Sequence, residues 1–385
     1  MTASSGQQRP IVVAGAIASK LHNGGEAWVR MSWLDAVAAT GRDVWLIEQI
    51  AEPTPEQIAY FSSVVNWFGV SGRSLLVNAD GDAVVGPDGV DPRDVAGTAE
   101  ALLNISGHLT DATLFERFSH RVLIDIDPGY TQIWQAQGIE DANVDGHHAY
   151  ATIGENIGGD DCAIPTNGLT WIPTRQPVSM TAWEMPAPPP PTKPAATLRF
   201  TTVASWRGSY GPVELDGCRY GVKAHEFRNI IDLPSRCADV TLEIALDIHP
   251  GDDADRRALI GAGWSLTDPA AASSTPERFR SYIQRSAGEV SVAQGVYVHT
   301  ACGWFSDRTT RYLAAGHPVV VQDTGFTRNI TSGAGLLAFT DTASAAAAID
   351  EVRADYTHHA EAARNVARRH FDPVTIITDL FDRAL

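Results

Sequence analysis

The chain has 385 residues, 44% of them hydrophobic and 19% charged, which excludes a small disulfide-stapled scaffold and an intrinsically disordered chain. Lys and Arg number 29 against 46 Asp and Glu, so the net charge is −17, and we expect no basic membrane-binding surface and no nucleic-acid partner. The length suggests two domains.

Cysteine spacing and the chain start indicate the cellular setting. The four cysteines show no CxxC or CxH spacing, so we expect reduced thiols and no bound metal. The first ten residues lack the layout of a secretory signal, and no stretch approaches the ~20 apolar residues of a spanning helix. We therefore expect a cytoplasmic protein with no integral membrane segment. The arginine-rich, lysine-poor composition is typical of a high-GC bacterial source.

The first half of the chain has the pattern of a doubly wound parallel sheet. The apolar run 11–14 precedes a glycine-bearing turn, an amphipathic helix that Gly41 stops, and a second apolar run at 44–47. This order predicts a βαβ unit with a right-handed crossover. The turn signal within 74–86 predicts a hairpin insertion. Further strands are predicted at 101–106, 121–127 and 149–154.

A proline run divides the chain near its middle and predicts a semi-rigid spacer. After it, strands and helices alternate again. We predict an α/β protein with two Rossmann-like doubly wound domains, whose ligand cleft lies at the carboxyl ends of the strands. The predicted strands of the second half are 198–205, 240–246, 289–293, 318–323 and 335–339. The predicted units are domain 1–184, linker 185–197, domain 198–360, and a helical tail 361–385 packed back across the first domain.

The most informative stretch is 303–326. Ser306 or Asp307 can cap a helix that Gly316 ends, and a buried strand follows. Free N–H groups at such a helix start favour a phosphate-sized anion. The alternative is an ordinary capped helix with a surface arginine. The residues around this predicted anion site are Ser306, Asp307, Arg308 and Thr309.

This stretch resembles the carboxyl-domain core of GT-B glycosyltransferases, in which a helix, a small-Gly-x-Pro-Val-Val turn and a strand hold the donor diphosphate and ribose. The matching residues are 315–320, followed by 323–326. The resemblance implies a GT-B fold and a nucleotide-diphosphate sugar as co-substrate, with no cofactor and no metal. Many retaining members have glutamates where this chain has Gly303 and Arg311, so the resemblance gives neither the ribose contact nor the stereochemistry.

Cations at the start of the second domain match another feature of these enzymes. GT-B enzymes often place an Arg after the first strand of this domain and a Lys at the next helix, and Arg207 and Lys223 match those positions. Charge-assisted bonds from both would hold the diphosphate and stabilise it as a leaving group. The alternative is that Arg207 pairs with Glu214 or Asp216, and that Lys223 is a solvated helix residue.

The loop after the first strand ends in paired glycines at a helix start. Gly24 and Gly25 would let the backbone approach a ligand closely, and the resemblance places this loop beside the donor phosphates or the acceptor. Glu26 and His22 are catalytic candidates in the same loop. A glycine-rich turn is often merely structural, and a glutamate suits any helix N-terminus electrostatically.

Asp127 ends a predicted strand at the edge of the sheet where ligands gather. It is a candidate for positioning or deprotonating the acceptor, or it simply caps a turn. An Asp-x-Asp, here Asp125 and Asp127, can hold a divalent cation in the GT-A fold, but the two-domain layout argues against that fold.

Two histidines and a glutamate flank the predicted strand 149–154. His147 and His148 point to opposite faces of a strand, so only one of them could serve as a base. His147 and Glu155 are candidates for lining the cleft.

Missing motifs narrow the function further. No G-x-G-x-x-G follows the first strand, and neither GxxxxGK[ST] nor GxSxG occurs. We expect a glycosyltransferase that moves a sugar from a nucleotide-diphosphate donor to O, N or S of a small-molecule acceptor in bacterial secondary-metabolite or antibiotic biosynthesis, acting as a monomer or homodimer. The alternatives are a nucleotide-sugar 2-epimerase-like enzyme and a non-catalytic nucleotide-sugar-binding protein.

Overall fold

Two parallel sheets follow one another along the chain. The computed structural model describes residues 9–139, 142–185, 197–208 and 210–385. Within them, the first sheet has eight strands and the second has six. The predicted class of two Rossmann-like α/β units with a helical tail is confirmed. Most of the predicted linker, residues 186–196, lies outside the described residues.

The first sheet has the strand order β4-β3-β2-β1-β5-β6-β7-β8. Its strands are β1 (Ile11–Ala14), β2 (Val44–Gln49), β3 (Ser74–Val77), β4 (Ala83–Val85), β5 (Ala101–Ile105), β6 (Arg121–Asp125), β7 (Ala149–Thr152) and β8 (Trp171–Pro173). The helices of this half are α1 (Gly24–Ala39), α2 (Pro55–Trp67), α3 (Pro92–Thr98), α4 (Ala112–Phe115), α5 (Tyr130–Ala136) and α6 (Met180–Trp183). All neighbouring strands pair in parallel except β3 and β4. The predicted hairpin at 74–86 therefore exists, but its first strand extends the main sheet and is not an insertion.

The second sheet has the strand order β13-β12-β9-β14-β15-β16, and every pair is parallel. Its strands are β9 (Leu198–Ser205), β12 (Val240–Asp247), β13 (Ser265–Thr267), β14 (Gly288–Ser291), β15 (Val319–Gln322) and β16 (Leu336–Phe339). The helices of this half are α7 (Lys223–Asn229), α8 (Leu233–Arg236), α9 (Asp253–Gly261), α10 (Pro269–Ser273), α11 (Pro276–Gln284), α12 (Gly295–His299), α13 (Asp307–Ala315) and α14 (Thr342–Ala354). The order reverses between β9 and β14, where doubly wound sheets open a crevice.

An antiparallel hairpin of β10 (Val213–Leu215) and β11 (Cys218–Tyr220) is inserted between β9 and α7. The sequence patterns did not predict it, because its strands are only three residues long and largely exposed. It contacts α5 of the first half, since the Gln137 side-chain amide donates to the backbone carbonyl of Glu214 at 2.9 Å.

The chain ends in α15 (Tyr356–His370) and α16 (Pro373–Ala384). The predicted break at 372–373 is present, and the Asp372 carboxylate caps α16 by accepting from the backbone N–H of Thr375 at 2.9 Å. The apolar face of α16 packs against α1 and joins the core of the first sheet. The tail therefore ties the end of the chain to its first half.

The two halves also touch directly beside the cleft. The indole N–H of Trp28 on α1 donates to the backbone carbonyl of Pro276 at the start of α11, at 3.0 Å. An apolar cluster that spans both halves lies on another part of the contact and includes Tyr130 of α5 and Tyr297 of α12. These contacts bring the carboxyl ends of the two sheets together.

Candidate functional site

A cavity of about 110 Å³ lies between the two sheets. Its walls come from α1 and the turns after β1, β5, β6, β7 and β8 on one side, and from the loop after β9, the segment between α12 and α13 and the start of α13 on the other. Its charged and imidazole side chains are Lys20, Glu26, Arg30, His108, Asp127 and Asp307. Tyr210 and Trp304 add aromatic surface. Three of the residues that the sequence singled out, Glu26, Asp127 and Asp307, thus line one cavity.

A buried carboxylate fixes the turn after β1. Glu48 on β2 is 2% exposed and accepts hydrogen bonds from the backbone N–H groups of Ala18 (2.7 Å) and Ser19 (2.9 Å). Hydrogen bonds to an ionised group are stronger than neutral ones, so this turn has a defined course. Lys20 follows directly and reaches the cavity wall.

Glu26 lies in the first turn of α1 and is ion-paired. The Asn23 side chain caps the helix by accepting from the backbone N–H of Glu26 at 3.2 Å. One turn later, the guanidinium of Arg30 donates to the Glu26 carboxylate. Arg30 is only 1% exposed, and another of its nitrogens lies 3.5 Å from Nε2 of His108. Glu26 therefore serves first to neutralise a buried arginine.

Asp127 lies two residues beyond β6 and is the carboxylate best suited to take a proton. Burial, followed by the negative charges of Glu26 and Asp125, raises its pKa to about 7. The Tyr297 hydroxyl donates to Asp127 Oδ1 at 3.4 Å. At neutral pH this carboxyl group is divided between its protonated and ionised forms, which is the condition that favours a general base.

His108 is a cavity residue that the sequence analysis missed. Burial and the positive charges of Arg30 and Lys20 lower its pKa to about 3, so the imidazole is neutral near pH 7. It follows β5 at the same sheet edge where Asp127 follows β6. Its position directly after a predicted strand is the sequence signal from which His108 could have been identified as a cavity residue.

Asp307 reaches the same cavity from the start of α13. Its carboxylate accepts from Arg311 at 2.7 Å, one turn along the helix. Arg311 is fully buried, and a second nitrogen lies 3.4 Å from the hydroxyl of Ser32 on α1. The arginine that replaces the glutamate of many GT-B enzymes therefore links the two halves of the chain.

Two predicted diphosphate cations lie close together near the start of α13. Arg308 donates to the Glu289 carboxylate at 2.7 Å and to the Val203 carbonyl at 3.0 Å. Burial, followed by the positive charge of Arg308, lowers the pKa of Lys223 to about 8. The backbone N–H of Lys223 donates to Gln294 Oε1 at 2.7 Å, which fixes the start of α7.

The start of α13 has polar groups available to a ligand. Ser306 occupies the N-cap position, but its side chain makes no capping hydrogen bond. The Thr309 hydroxyl is buried and has no hydrogen-bond partner among the described residues. An uncapped helix start beside Lys223 and the Arg308–Glu289 pair is an arrangement that favours an anion, and the anion site stays a prediction.

Arg207 is placed differently from the other cations. It forms a two-point ion pair with Asp252, at 2.8 and 2.7 Å, and its side chain is largely exposed. The alternative partners considered from the sequence, Glu214 and Asp216, were wrong, because the loop after β9 turns toward the loop after β12.

Two other candidates contact side chains outside the cavity lining. His22 is exposed and lies 3.0 Å from the Glu56 carboxylate. Glu155 accepts from Arg175 at 2.9 and 2.8 Å in a two-point pair. The structure brings neither residue to the cavity with Asp127.

His147 lines a separate recess of about 430 Å³ on the first half of the chain. Its ring nitrogens lie 3.0 Å from the Val144 carbonyl and 3.1 Å from the Asn104 side-chain amide. Burial lowers its pKa. His148 stacks on His120 instead.

The paired glycines face the second half of the chain. A Cβ atom on Gly24 would lie 2.2 Å from the backbone carbonyl oxygen of Thr275, so glycine is needed there for the close approach of α1 and α11. A Cβ atom on Gly25 would meet the Phe279 ring at an ordinary 3.4 Å. Gly24 is therefore explained by packing between the two halves.

No protein-family model and no curated protein matches the sequence. Solved structures do match over nearly the whole chain. An α-glucosyltransferase with UDP bound shares 11% identity at a TM-score of 0.61, over 98% of this chain and 100% of that one. HepE of Anabaena with UDP and glucose shares 12% identity at a TM-score of 0.59, over 98% and 99%. The chain has the GT-B fold, as the sequence resemblance implied.

One comparison overturns a sequence-based exclusion. An α-glucosyltransferase solved with UDP and a 13-mer DNA containing an HMU base matches at a TM-score of 0.61 with 12% identity, over 98% of each chain. The negative net charge therefore does not exclude a nucleic-acid partner, and the exclusion drawn from it was wrong, because net charge does not describe the charge of any one part of a surface. In the described part of the chain, no helix is long and apolar enough to span a membrane.

Proposed function

We propose that this chain is a glycosyltransferase that takes a sugar from a uridine diphosphate donor and transfers it to a hydroxyl group of a small acceptor. The observation that carries the proposal is the cavity between the two sheets, where Asp127 of one half and Asp307 of the other line the same space. The GT-B fold supports it, since the matched α-glucosyltransferase and HepE structures contain UDP.

The donor diphosphate would bind at the start of α13. Lys223 and Arg308 supply positive charge, and the uncapped helix start supplies N–H groups. As the bond between the sugar and the phosphate oxygen breaks, negative charge develops on the diphosphate. Cations fixed in a partly buried site stabilise that charge more than water does.

The acceptor would enter beside Asp127. The acceptor oxygen forms the new bond to the sugar, its proton passes to Asp127, and UDP leaves. The role of Asp127 as the base applies to a transfer that inverts the configuration at the sugar carbon. If the configuration at the sugar is retained, no protein base is required, and an Asp127→Asn variant would keep substantial activity.

Titration calorimetry with UDP, GDP, dTDP and ADP tests the donor site. We expect selective binding of UDP that Lys223→Ala weakens by about tenfold or more, since a charge-assisted bond is worth ~1.5 to 3 kcal/mol. Arg228→Ala is the matched control, because Arg228 is a surface arginine of the same helix paired with Asp255. Failure of all four diphosphates to bind would refute the proposal.

Product analysis with labelled UDP-sugars tests the reaction. Sugar should appear on a hydroxyl-bearing small molecule, and a duplex containing an HMU base serves as the nucleic-acid arm. Conversion of the donor sugar without an acceptor would indicate an epimerase. Tight UDP binding without any turnover would indicate a binding protein.

A further inference from the structure

Aromatic side chains from the second half of the chain cover Asp127 of the first half. The Tyr297 hydroxyl on α12 donates to Asp127 Oδ1 at 3.4 Å. Tyr210, in the loop before β10, lines the cavity with Asp127, and the negative charge of Asp127 is the largest influence raising the pKa of its phenol. Both tyrosines come from the opposite sheet, so the contact exists only where the two halves meet.

Each tyrosine is held in place by other aromatic rings. Tyr297 stacks on Trp304 with ring centroids 4.6 Å apart and meets Tyr130 of α5 edge-on at 6.0 Å. Tyr210 packs on Tyr130 at 5.0 Å and edge-on against Trp134 at 4.8 Å. Such packed pairs have restricted geometry, so the two phenols have defined positions over the carboxylate.

The charges around Asp127 are mixed in sign. The titratable and charged groups around it are Glu26 and Arg30 from α1, Lys20 from the turn after β1, His108 from the turn after β5, Asp125 from β6, Tyr130 from α5, and Tyr210, Tyr297 and Asp307 from the second half. Burial is the largest influence on the Asp127 carboxyl group, and the carboxylates partly oppose the cations. Removing the aromatic cover would therefore admit water and favour the ionised form.

We propose that Tyr297 and Tyr210 are positioning residues for Asp127, which hold its carboxyl group and shield it from water only while the two halves of the chain are in contact. The proposal rests on the role of Asp127 as the base in the proposed function. Separation of the halves would return Asp127 to an ordinary solvated carboxylate. Proton acceptance is thereby confined to the closed arrangement, in which a reacting group is shielded from water.

Carboxyl titration of the full chain tests this directly. Aspartate carboxyl carbons are labelled with ¹³C, the Asp127 signal is assigned by its loss in Asp127→Asn, and its midpoint is followed with pH. We expect Tyr210→Ala to lower the midpoint by about one pH unit or more, and Tyr297→Ala to lower it less, because that variant also removes a hydrogen-bond donor to the ionised carboxylate. Tyr220→Ala is the control, since Tyr220 lies on β11 of the hairpin that follows Tyr210 and is outside the cavity lining.

The two variants protect the test against misfolding. If Tyr297→Ala does not fold, the titration of Tyr210→Ala, whose side chain is less buried, still tests the proposal. A midpoint in folded Tyr210→Ala that stays within about 0.3 pH units of the parent would overturn the proposal. The acid limb of the transfer rate should move in parallel. A lowered midpoint in a chain that transfers no sugar would support the positioning role and refute the proposed function.

Discussion

Replacing Gly24 with alanine tests how the two halves of the chain meet. Its added Cβ would lie 2.2 Å from the Thr275 carbonyl oxygen, 2.3 Å from its carbon and 2.6 Å from the nitrogen of Pro276. All three are backbone atoms, so no flexible side chain can yield. The start of α1 or α11 must move by about 1 Å to restore ordinary contact.

The size of the effect follows from two opposing contributions. Alanine in place of glycine in a helix normally stabilises by about 0.5 to 1 kcal/mol. Forcing an extra carbon into a packed contact costs about 1 to 3 kcal/mol. We therefore expect Gly24→Ala to lower the free energy of unfolding by about 1 to 2 kcal/mol. Gly25→Ala, whose Cβ would meet Asn23 and Phe279 at 3.4 Å, should be neutral or slightly stabilising.

Urea unfolding followed by tryptophan fluorescence measures both variants, and Trp28 reports on the contact because its indole bonds Pro276 across it. Small-angle scattering of the native proteins shows whether the halves separate. Equal urea midpoints for Gly24→Ala and Gly25→Ala would refute the packing explanation. The paired glycines would then be better explained by ligand approach, as the sequence first suggested.

Two further predictions concern pH. UDP binding should weaken above about pH 8, by up to ~10-fold per pH unit. The reason is that the pKa of Lys223 is lowered to about 8 and only its ammonium form pairs with a diphosphate. Calorimetry from about pH 7 to 9.5 measures this dependence, and the Lys223→Met variant should show a flatter one. Asp127→Asn should stabilise the fold. The pKa of Asp127 is about 7 in the folded chain against the ordinary 3.8, so the parent protein loses stability as the pH rises from about 3.8 to about 7, and the uncharged asparagine avoids that loss. The gain, ~1 kcal/mol or more in urea unfolding, should be larger at about pH 8 than at about pH 5, and an equal gain at both would contradict it.

The local sequence pattern was sufficient to predict the strands that consist of continuous, buried apolar residues. β1 and β15 are such runs, and Gly316, in the left-handed conformation, ends α13 as predicted. Strands of three residues, such as β8 and β13, carry too little periodicity to be recognised and are defined by their neighbours in the sheet.

The site was less predictable than the fold, because its chemistry depends on partners distant in sequence. Asp127 was found from its place after a strand, yet its proton affinity depends on Glu26, 101 positions earlier in the chain, and on burial by the other half. Arg207 had the expected position but forms an ion pair with Asp252, 45 residues away. Sequence spacing gives no measure of such contacts.

Arg311 lies at the contact between the two halves of the chain. It is fully buried, it holds Asp307 at 2.7 Å, and it approaches Ser32 across the contact between the halves. A ligand could reach the buried guanidinium of Arg311 only if α1 moved away from it. The same movement would separate Tyr210 and Tyr297 from Asp127, because both lie in the opposite half. Opening this contact would therefore uncover Asp127, and the proposed transfer requires the contact to close again once donor and acceptor are bound.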